Sequence, residues 1–332
     1  MPVYNGAEFL RPAVESILAQ TFADFELVLS DDGSKDDSRQ IIEEYARRDA
    51  RVVVSLAEHG GISVATNRAL QIARGEYFAP MDQDDIALPN RLSREVEFLD
   101  QNPAVAVVGA GANTIDASGR HLKTMRPPLE PRDVAEAMHE RCAVLHPSSM
   151  MRTEVARAVG GYRAFLPYAQ DYDLFIRILE RYQLANLPDV LLLKRQHGGQ
   201  VTGVASRRPG QVVTGAIVYM SHLSREQWGT DVFRDNERLV DSAARFIDAY
   251  LAENPHLSPR VLHHFSRFMR YAPLGLIQPR RIAHPRLHYL RASLEHGGPR
   301  QALRTLWYFA SYFAHARLRR EGILPATYHT ES

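Results

Sequence analysis

Three carboxylates crowd into four positions of the chain, at Asp82, Asp84 and Asp85, directly after the mostly apolar run Glu76–Pro80. Carboxylates this close repel one another, and they are costly to desolvate together unless a cation neutralises them. One prediction for this segment is therefore a divalent cation site. The other is an acidic turn in which Asp84 or Asp85 caps a helix that begins near Pro89–Arg91.

A second acidic pair, Asp31 and Asp32, also follows an apolar segment, Phe25–Ser30. Apolar segments of this kind alternate with helical stripes along the first part of the chain. Such alternation predicts an α/β fold with a mostly parallel sheet flanked by helices, in which ligands bind beyond the carboxyl ends of the strands. Both acidic segments lie at such strand ends, which favours a shared metal or ligand site over a helix cap.

The periodicity predicts helices over residues 8–20, 37–48, 65–73, 131–142 and 171–182, and strands over residues 25–30, 52–54, 77–79, 105–108 and 190–193. Ala117–Arg120 is typical of a hairpin tip. Beyond Gln200 the pattern is mainly helical, and a boundary is expected near residues 202–210. We therefore expect a catalytic or binding domain over residues 1–205 and a helical C-terminal region over residues 206–332.

Composition excludes several classes of site. The single cysteine, Cys142, excludes an internal disulfide framework and cysteine-based zinc sites, and it predicts a reducing compartment. We see no signal peptide and no apolar run long enough to cross a bilayer. Gly109–Gly111 begins like a dinucleotide-binding loop, but Thr114 stands where a third small residue is needed, so a nicotinamide site is excluded.

Charge is divided unevenly between the two parts of the chain. Residues 1–200 carry 22 basic against 29 acidic side chains, a net charge of −7, whereas residues 201–332 carry 18 against 10, a net charge of +8. Two interpretations stay open: the basic part faces an anionic partner, such as lipid head groups or a phosphate-bearing acceptor, or it docks on the acidic part. Ala302–Arg320 is predicted to form an aromatic helix with a basic end, which either lies at a membrane surface or packs on the first domain.

Four segments, in matching order and spacing, resemble family 2 of the inverting, nucleotide-sugar-dependent glycosyltransferases with the GT-A fold. They are Met1–Gly6, Asp31–Ser34, Met81–Asp85 and Ala169–Leu174. The resemblance covers roughly the first 200 residues. It implies sugar transfer from a nucleotide-diphosphate sugar, expected to be UDP-linked, to a hydroxyl of a surface-polysaccharide or glycolipid acceptor. It also implies a bacterial cell-envelope enzyme in the cytoplasm or at the inner face of the cytoplasmic membrane.

The resemblance further implies roles for individual residues. Asp171 aligns with the catalytic base, and Asp82 and Asp84 match the Asp-x-Asp motif, whose carboxylates bind the ribose and a Mn²⁺ or Mg²⁺ ion that bridges the phosphates. Asp85 is expected to be structural. The donor is expected to contact Pro2, Tyr4, Asn5, Glu8, Asp31, Asp32, Gly60, Gly61, Asn67, Asp82, Arg195 and His197.

Three positions depart from the family pattern. Met1 stands where a longer first strand should end, so this strand is expected to be truncated, Thr66 replaces a usual arginine, and Gln170 replaces a usual glutamate. A non-catalytic relative that only binds sugar nucleotides is therefore the alternative hypothesis. A third, a nucleotidyltransferase, lacks the glycine-rich basic loop that such enzymes need near the N-terminus. His146 is interpreted either as part of the acceptor site or as a core histidine.

Overall fold

The computed structural model describes residues 1–198, 200, 208–233, 239–254, 258, 260, 261, 263–265 and 267. Two compact units divide the chain. The first comprises residues 1–164 and 170–205, and the second comprises residues 165–169 with the described residues from 208 onward.

A three-stranded parallel sheet begins the first unit. Its strands are β1 (Pro2–Val3), β2 (Leu27–Asp32) and β3 (Val52–Ala57), in the order β1-β2-β3. All six residues of β2 are buried, as expected for a central strand that is covered on both faces. The first strand pairs with β2 through Pro2 opposite Ser30 and Val3 opposite Asp31.

Helices α1 (Ala7–Leu18), α2 (Ser38–Arg48) and α3 (Ile62–Ile72) follow the three strands in turn. Their buried faces repeat at helical spacing, because apolar residues three and four apart lie on one side of a helix. In α1 this face consists of Leu10, Ala13, Val14 and Ile17, which join the core beside β2.

The second sheet is mixed and has the strand order β4-β8-β6-β9-β5, with β7 paired to β6. The strands are β4 (Tyr77–Phe78), β5 (Ile86–Ala87), β6 (Val105–Asp116), β7 (His121–Met125), β8 (Ser149–Arg152) and β9 (Gln183–Gln196). Only β6 and β9 run parallel, and the remaining pairs are antiparallel. The predicted hairpin tip at 117–120 joins β6 to β7. The mostly parallel character that the alternation predicts therefore belongs to the first sheet.

The remaining helices of the first unit are α4 (Arg91–Gln101), α5 (Pro131–Met138), α6 (Thr153–Ala158) and α7 (Gln170–Leu179). The second unit contains α8 (Arg208–Trp228) and α9 (Leu239–Glu253), so the described part of the C-terminal region is helical, as predicted. These helices share an aromatic core that includes Tyr219, Phe246 and Phe265. Among the described helices, none has both the length and the apolarity to cross a membrane. The helix predicted over 302–320 lies outside the described residues.

Candidate active site

The three acidic residues lie in the loop between β4 and β5. Helix α4 begins only at Arg91, with Asn90 at its N-cap position, and β5 separates it from the loop. The interpretation of the acidic segment as a helix cap is therefore wrong. Ligand oxygens of Asp82, Asp84 and Asp85 all lie within 4.8 Å of one another.

Asp85 is fully buried at the back of this cluster. Its Oδ1 accepts a hydrogen bond from the backbone N–H of Arg195 at 2.9 Å, whereas its Oδ2 has no hydrogen-bond partner among the described residues. Burial raises the pKa of Asp85 to about 8; the ammonium of Lys194 opposes this rise, and the carboxylates of Asp82 and Asp84 add to it. A buried carboxylate with an unsatisfied oxygen is costly unless a cation is close.

Side chains from the end of β9 and just beyond it face the acidic loop. Oδ2 of Asp84 accepts from Gln200 Nε2 at 2.7 Å and lies 2.9 Å from His197 Nε2. Lys194 Nζ lies 3.8 Å from Oδ2 of both Asp82 and Asp85. An all-oxygen donor set with one unsatisfied buried oxygen fits a hard divalent cation such as Mg²⁺ or Mn²⁺.

Arg195 is buried and engaged with the main chain, although the sequence predicts that it contacts the donor. Its guanidinium donates from Nε to the carbonyl oxygen of Asp84 at 3.1 Å and from Nη1 to that of Ala117 at 2.9 Å. The guanidinium also lies 4.9 Å from the ring centroid of Phe9. Arg195 therefore fixes the backbone of the acidic loop, and His197 is the residue of this pair that reaches a carboxylate.

The carboxylate of Asp32 organises the loop that follows β3. It accepts from the backbone N–H groups of Gly60 at 3.1 Å and Gly61 at 2.8 Å, and from Arg68 Nη2 at 2.8 Å. His59 Nδ1 lies 2.8 Å from its Oδ2. Gly61 has a φ of +89°, a left-handed conformation that favours glycine. Asp31 instead caps the adjacent turn, because its carboxylate accepts from Ser34 N at 3.4 Å.

The loop after β1 places the aromatic ring of Tyr4 against the loop that follows β3. The half-exposed ring of Tyr4 stacks on His59, with ring centroids 4.1 Å apart. Gln83 clamps the main chain of Tyr4, since Tyr4 N donates to its Oε1 at 2.9 Å and its Nε2 donates to Tyr4 O at 3.1 Å. Asn5 adopts a φ of +47° and accepts from Lys35 N at 2.8 Å. Glu8 is exposed in the first turn of α1.

Asn67 and Thr66, on α3, are both occupied within the fold. The Asn67 amide donates to Tyr162 O at 2.7 Å and accepts from Tyr162 N at 2.8 Å. Thr66 is buried and donates to Ile62 O at 2.7 Å. The amide of Asn67 thus holds the loop near Tyr162, and its donor contact stays a prediction. The guanidinium next to this position on the helix is that of Arg68.

Asp171 lies in the first turn of α7, where its Oδ1 accepts from Tyr172 N at 2.8 Å. Ala169, which lies just before the first residue of α7, has a φ of +55°, a strained conformation for a residue with a Cβ atom. The dipole of a helix favours an ionised carboxylate in its first turn. Asp171 is partly buried at the N-terminal end of α7.

A buried histidine–tyrosine pair lies under the electrostatic influence of two of the predicted carboxylates. His146 Nε2 is 2.8 Å from the Tyr162 hydroxyl. Burial lowers the pKa of His146, while Asp171 and Asp82 act to raise it. Burial raises the pKa of Tyr162 well above its usual range, and the same two carboxylates add to this rise. Asp171 and the acidic loop therefore share one electrostatic environment.

Side chains of the site that the sequence prediction lacks include His59, Arg68, Gln83 and Lys194. Each lies within two residues of a predicted position, but their chemistry depends on contacts between distant segments. The signal available in the sequence is that these residues lie close to Gly60 or to other predicted positions. Such proximity does not distinguish a residue that takes part in the site from one that is only adjacent to it.

Comparison with known proteins supports the family resemblance of the sequence motifs. Residues 1–160 match the family model for glycosyl transferase family 2. An uncharacterized glycosyltransferase of Methanocaldococcus jannaschii is 30% identical over 198 residues, which cover 58% of this chain and 68% of that protein. Bacillus subtilis EpsE, which is named as a glycosyltransferase, is 31% identical over 59% of this chain and 71% of its own length. An uncharacterized glycosyltransferase of Rickettsia typhi is 29% identical, and the match spans slightly less than two thirds of its length, 65%.

Solved structures share the fold at low identity. Staphylococcus aureus TarS 1-349 in complex with UDP-GlcNAc matches with a TM-score of 0.60 at 17% identity, covering 100% of this chain and 96% of that one. The mannosyltransferase PcManGT of Pyrobaculum calidifontis, in complex with GDP-Man and Mn²⁺, matches with a TM-score of 0.51 at 20% identity, covering 92% and 85%. The fold is GT-A, as the sequence predicts. The chain belongs to glycosyltransferase family 2.

Proposed function

We propose that the chain is a metal-dependent inverting glycosyltransferase that moves a sugar from a nucleotide-diphosphate sugar to an acceptor hydroxyl. The observation that carries this proposal is the cluster of Asp82, Asp84 and Asp85, whose ligand oxygens lie within 4.8 Å of one another. A cation site and a carboxylate at the start of a helix, Asp171, supply the two functions that such a transfer needs, stabilisation of a leaving diphosphate and removal of a proton.

The donor nucleoside is proposed to bind at the loops that carry Tyr4 and Asp32. Tyr4 offers a half-exposed aromatic face, on which a nucleobase can stack. The rest of the proposed surface comprises Pro2, Asn5, Glu8, Asp31, Gly60 and Gly61. Asn67 and Arg195 are assigned positioning roles because their polar groups are engaged within the fold.

Asp82 and Asp84 are proposed to hold the divalent cation, with Asp85 behind them and His197 beside Asp84. A bound Mn²⁺ or Mg²⁺ ion would act as a Lewis acid toward the diphosphate. Asp171 is proposed to accept the proton of the acceptor hydroxyl as its oxygen attacks the anomeric carbon. A single displacement inverts the configuration at that carbon.

UDP is the nucleotide expected of the donor, and GDP is the main competitor. TarS has been solved with UDP-GlcNAc and PcManGT with GDP-Man. A thermal-shift panel of UDP- and GDP-sugars, with and without Mn²⁺, tests the donor. We expect one nucleotide class to raise the melting temperature, and to do so more strongly with Mn²⁺, because a ligand stabilises the state that binds it.

Donor hydrolysis separates the enzyme from the alternative, a non-catalytic binding relative. We expect the selected donor to be hydrolysed slowly when Mn²⁺ is present, and EDTA to abolish this reaction. Binding without any hydrolysis, with a full set of acceptor sugars also inert, would favour the binding relative. A panel in which no sugar nucleotide shifts the melting temperature would contradict both hypotheses.

The acceptor and location are proposed on the family resemblance and on charge. We propose a surface-polysaccharide or glycolipid acceptor, and a place in the cytoplasm at the inner face of the membrane. The catalytic domain is proposed to span residues 1–205. Residues 206–332 are proposed to serve the acceptor side, because this part carries the net charge of +8.

A further inference from the structure

Lys194 lies on β9 beside the acidic loop, at a position for which the sequence motifs predict no role. Its register on the sheet is fixed by Thr114 of β6. Its side chain is 19% exposed, and its ammonium lies 3.8 Å from Asp82 and 3.8 Å from Asp85. A lysine stem is thus buried in the wall of the site while its charge is held between two carboxylates.

Both contacts of the ammonium are ion pairs that are longer than hydrogen bonds. A hydrogen bond from an ammonium to a carboxylate spans about 2.7–2.9 Å, so a separation of 3.8 Å leaves the N–H groups uncommitted to either oxygen. Within the described residues, no hydrogen bond occupies these three donors. An ammonium has no acceptor capacity, so a ligand that satisfies it must offer hydrogen-bond acceptors, such as the oxygens of a phosphate group.

Two arginines beside the loop are already engaged with main-chain carbonyl groups. Arg195 donates to carbonyl groups at Asp84 and Ala117, and Arg91 donates to Pro80 O and Ser149 O.

Lysine carries an ammonium group at neutral pH, which donates hydrogen bonds and accepts none.

We propose that Lys194 is a further catalytic residue, whose ammonium donates hydrogen bonds to the diphosphate of the donor and stabilises the leaving group. The proposal rests on the proposed function. In the transfer, the bond between the anomeric carbon and the diphosphate oxygen breaks, its electron pair stays on that oxygen, and the acceptor proton goes to Asp171. Lys194 keeps its own proton throughout and offsets part of the negative charge that grows on the diphosphate.

A second consequence concerns the cation, because Lys194 shares Asp82 with it. Like charges repel, so the ammonium weakens binding of free Mn²⁺ while it strengthens binding of the diphosphate. Loss of the ammonium should therefore move the two affinities in opposite directions. If Lys194 only held the carboxylates in place, its loss would change both affinities in the same direction.

The test compares Lys194→Met with wild type by calorimetry, using UDP and uridine, or GDP and guanosine if the guanine nucleotide is the one bound. We expect UDP binding in the presence of Mn²⁺ to weaken roughly tenfold, as for loss of a charge-assisted hydrogen bond. Uridine, which has no phosphates, should bind unchanged, and Mn²⁺ alone should bind more tightly. Lys194→Arg should restore most of the UDP affinity, and Lys123→Met, at an exposed lysine of β7, should match wild type in every assay.

Unchanged UDP affinity in Lys194→Met would overturn the proposal, and so would an equal loss for uridine and UDP or a loss of Mn²⁺ affinity alongside that of UDP. If Lys194→Met does not fold, Lys194→Met/Asp85→Asn removes the buried partner charge as well, and the ratio of UDP to uridine affinity is read from that variant. A wild type that binds neither UDP nor GDP would overturn the proposed function and this assignment together.

Discussion

At the scale of single residues, Asp171, the proposed base, gives the most direct prediction on catalysis. Replacing it with asparagine keeps the size and the hydrogen-bond acceptor for Tyr172 N but removes the basic oxygen. We expect Asp171→Asn to bind the donor like wild type and to lose about 10²–10⁴-fold in transfer rate, the usual contribution of a general base. Thermal shift measures the first and radiolabelled transfer the second.

Asp133→Asn is the matched control, because Asp133 is an exposed aspartate in the first turn of another helix, α5. It should leave both measurements unchanged. Full transfer by purified Asp171→Asn would remove this residue from the role of base.

His146 gives a prediction on pH and stability. Burial lowers its pKa in the folded state, so below about pH 6.5 the unfolded chain binds a proton that the folded chain resists. Stability should therefore fall as the pH drops through this value, by at most about 1.4 kcal/mol per pH unit. We expect the loss between about pH 7.5 and 5.5 in urea unfolding to be smaller in His146→Gln than in wild type. His121→Gln, at an exposed histidine, should follow wild type, and an equal loss in all three proteins would contradict the prediction.

Single residues also mark the limit of what the sequence predicted. The positions of Asp32, Asp82 and Asp84 follow from strand ends and motif spacing, which are local properties. The guanidinium of Arg195 and the amide of Asn67 were expected at the donor, yet backbone groups at Ala117 and Tyr162 take them. Each of these pairs joins residues that are nearly 80 or more positions apart in the chain. A local motif does not show which backbone carbonyl group will lie near a given side chain in the fold.

At the scale of elements, most helices and the first strands were predictable from the sequence, whereas the length and pairing of the strands in the second sheet were not. The helix 37–48 is observed as Ser38–Arg48, because its apolar stripe is a local signal. Strands β6 and β9 extend far beyond the four residues predicted for each, to 12 and 14 residues. Their length comes from pairing with each other and with β7, β8 and β5, which no periodicity within one segment reveals.

Helix α4 contains a buried ion pair, Arg91–Glu95, whose arginine also donates to the segment before the acidic loop, and this gives a stability prediction. Arg91 and Glu95 are both fully buried, 3.3 Å apart, and Arg91 also donates to Pro80 O and Ser149 O at 3.0 Å. Arg91→Met strands the Glu95 carboxylate and two carbonyl groups in the core. We expect it to lower the free energy of unfolding by about 3–5 kcal/mol, as for a buried pair that loses one partner.

The same helix offers the control. Arg94 pairs with Glu97 at the surface, where its side chain is 40% exposed, so Arg94→Met should cost less than about 1 kcal/mol. Urea unfolding of the two variants measures the difference. Equal costs would show that the buried Arg91 contributes no more to stability than the exposed Arg94.

At the scale of the whole molecule, the family resemblance and the charge distribution address different parts of the chain. Residues 1–160 match the family model, and the motifs end before residue 200. The +8 charge falls on residues 201–332, where arginine supplies every basic side chain. None of the four motifs identifies the acceptor, so its nature has to be tested through charge.

Charge of this size should act on an anionic membrane. We expect the full chain to float with vesicles that contain phosphatidylglycerol at about 50 mM salt, to float less at about 500 mM, and not to float with neutral vesicles, because salt screens such attraction. Arg317→Gln/Arg319→Gln/Arg320→Gln should weaken flotation. Replacement of the exposed Arg39, Arg48 and Arg74 by glutamine removes the same charge from the first unit and should leave flotation unchanged. Equal flotation of the two triple variants would instead favour the interpretation in which the basic part docks on the acidic one.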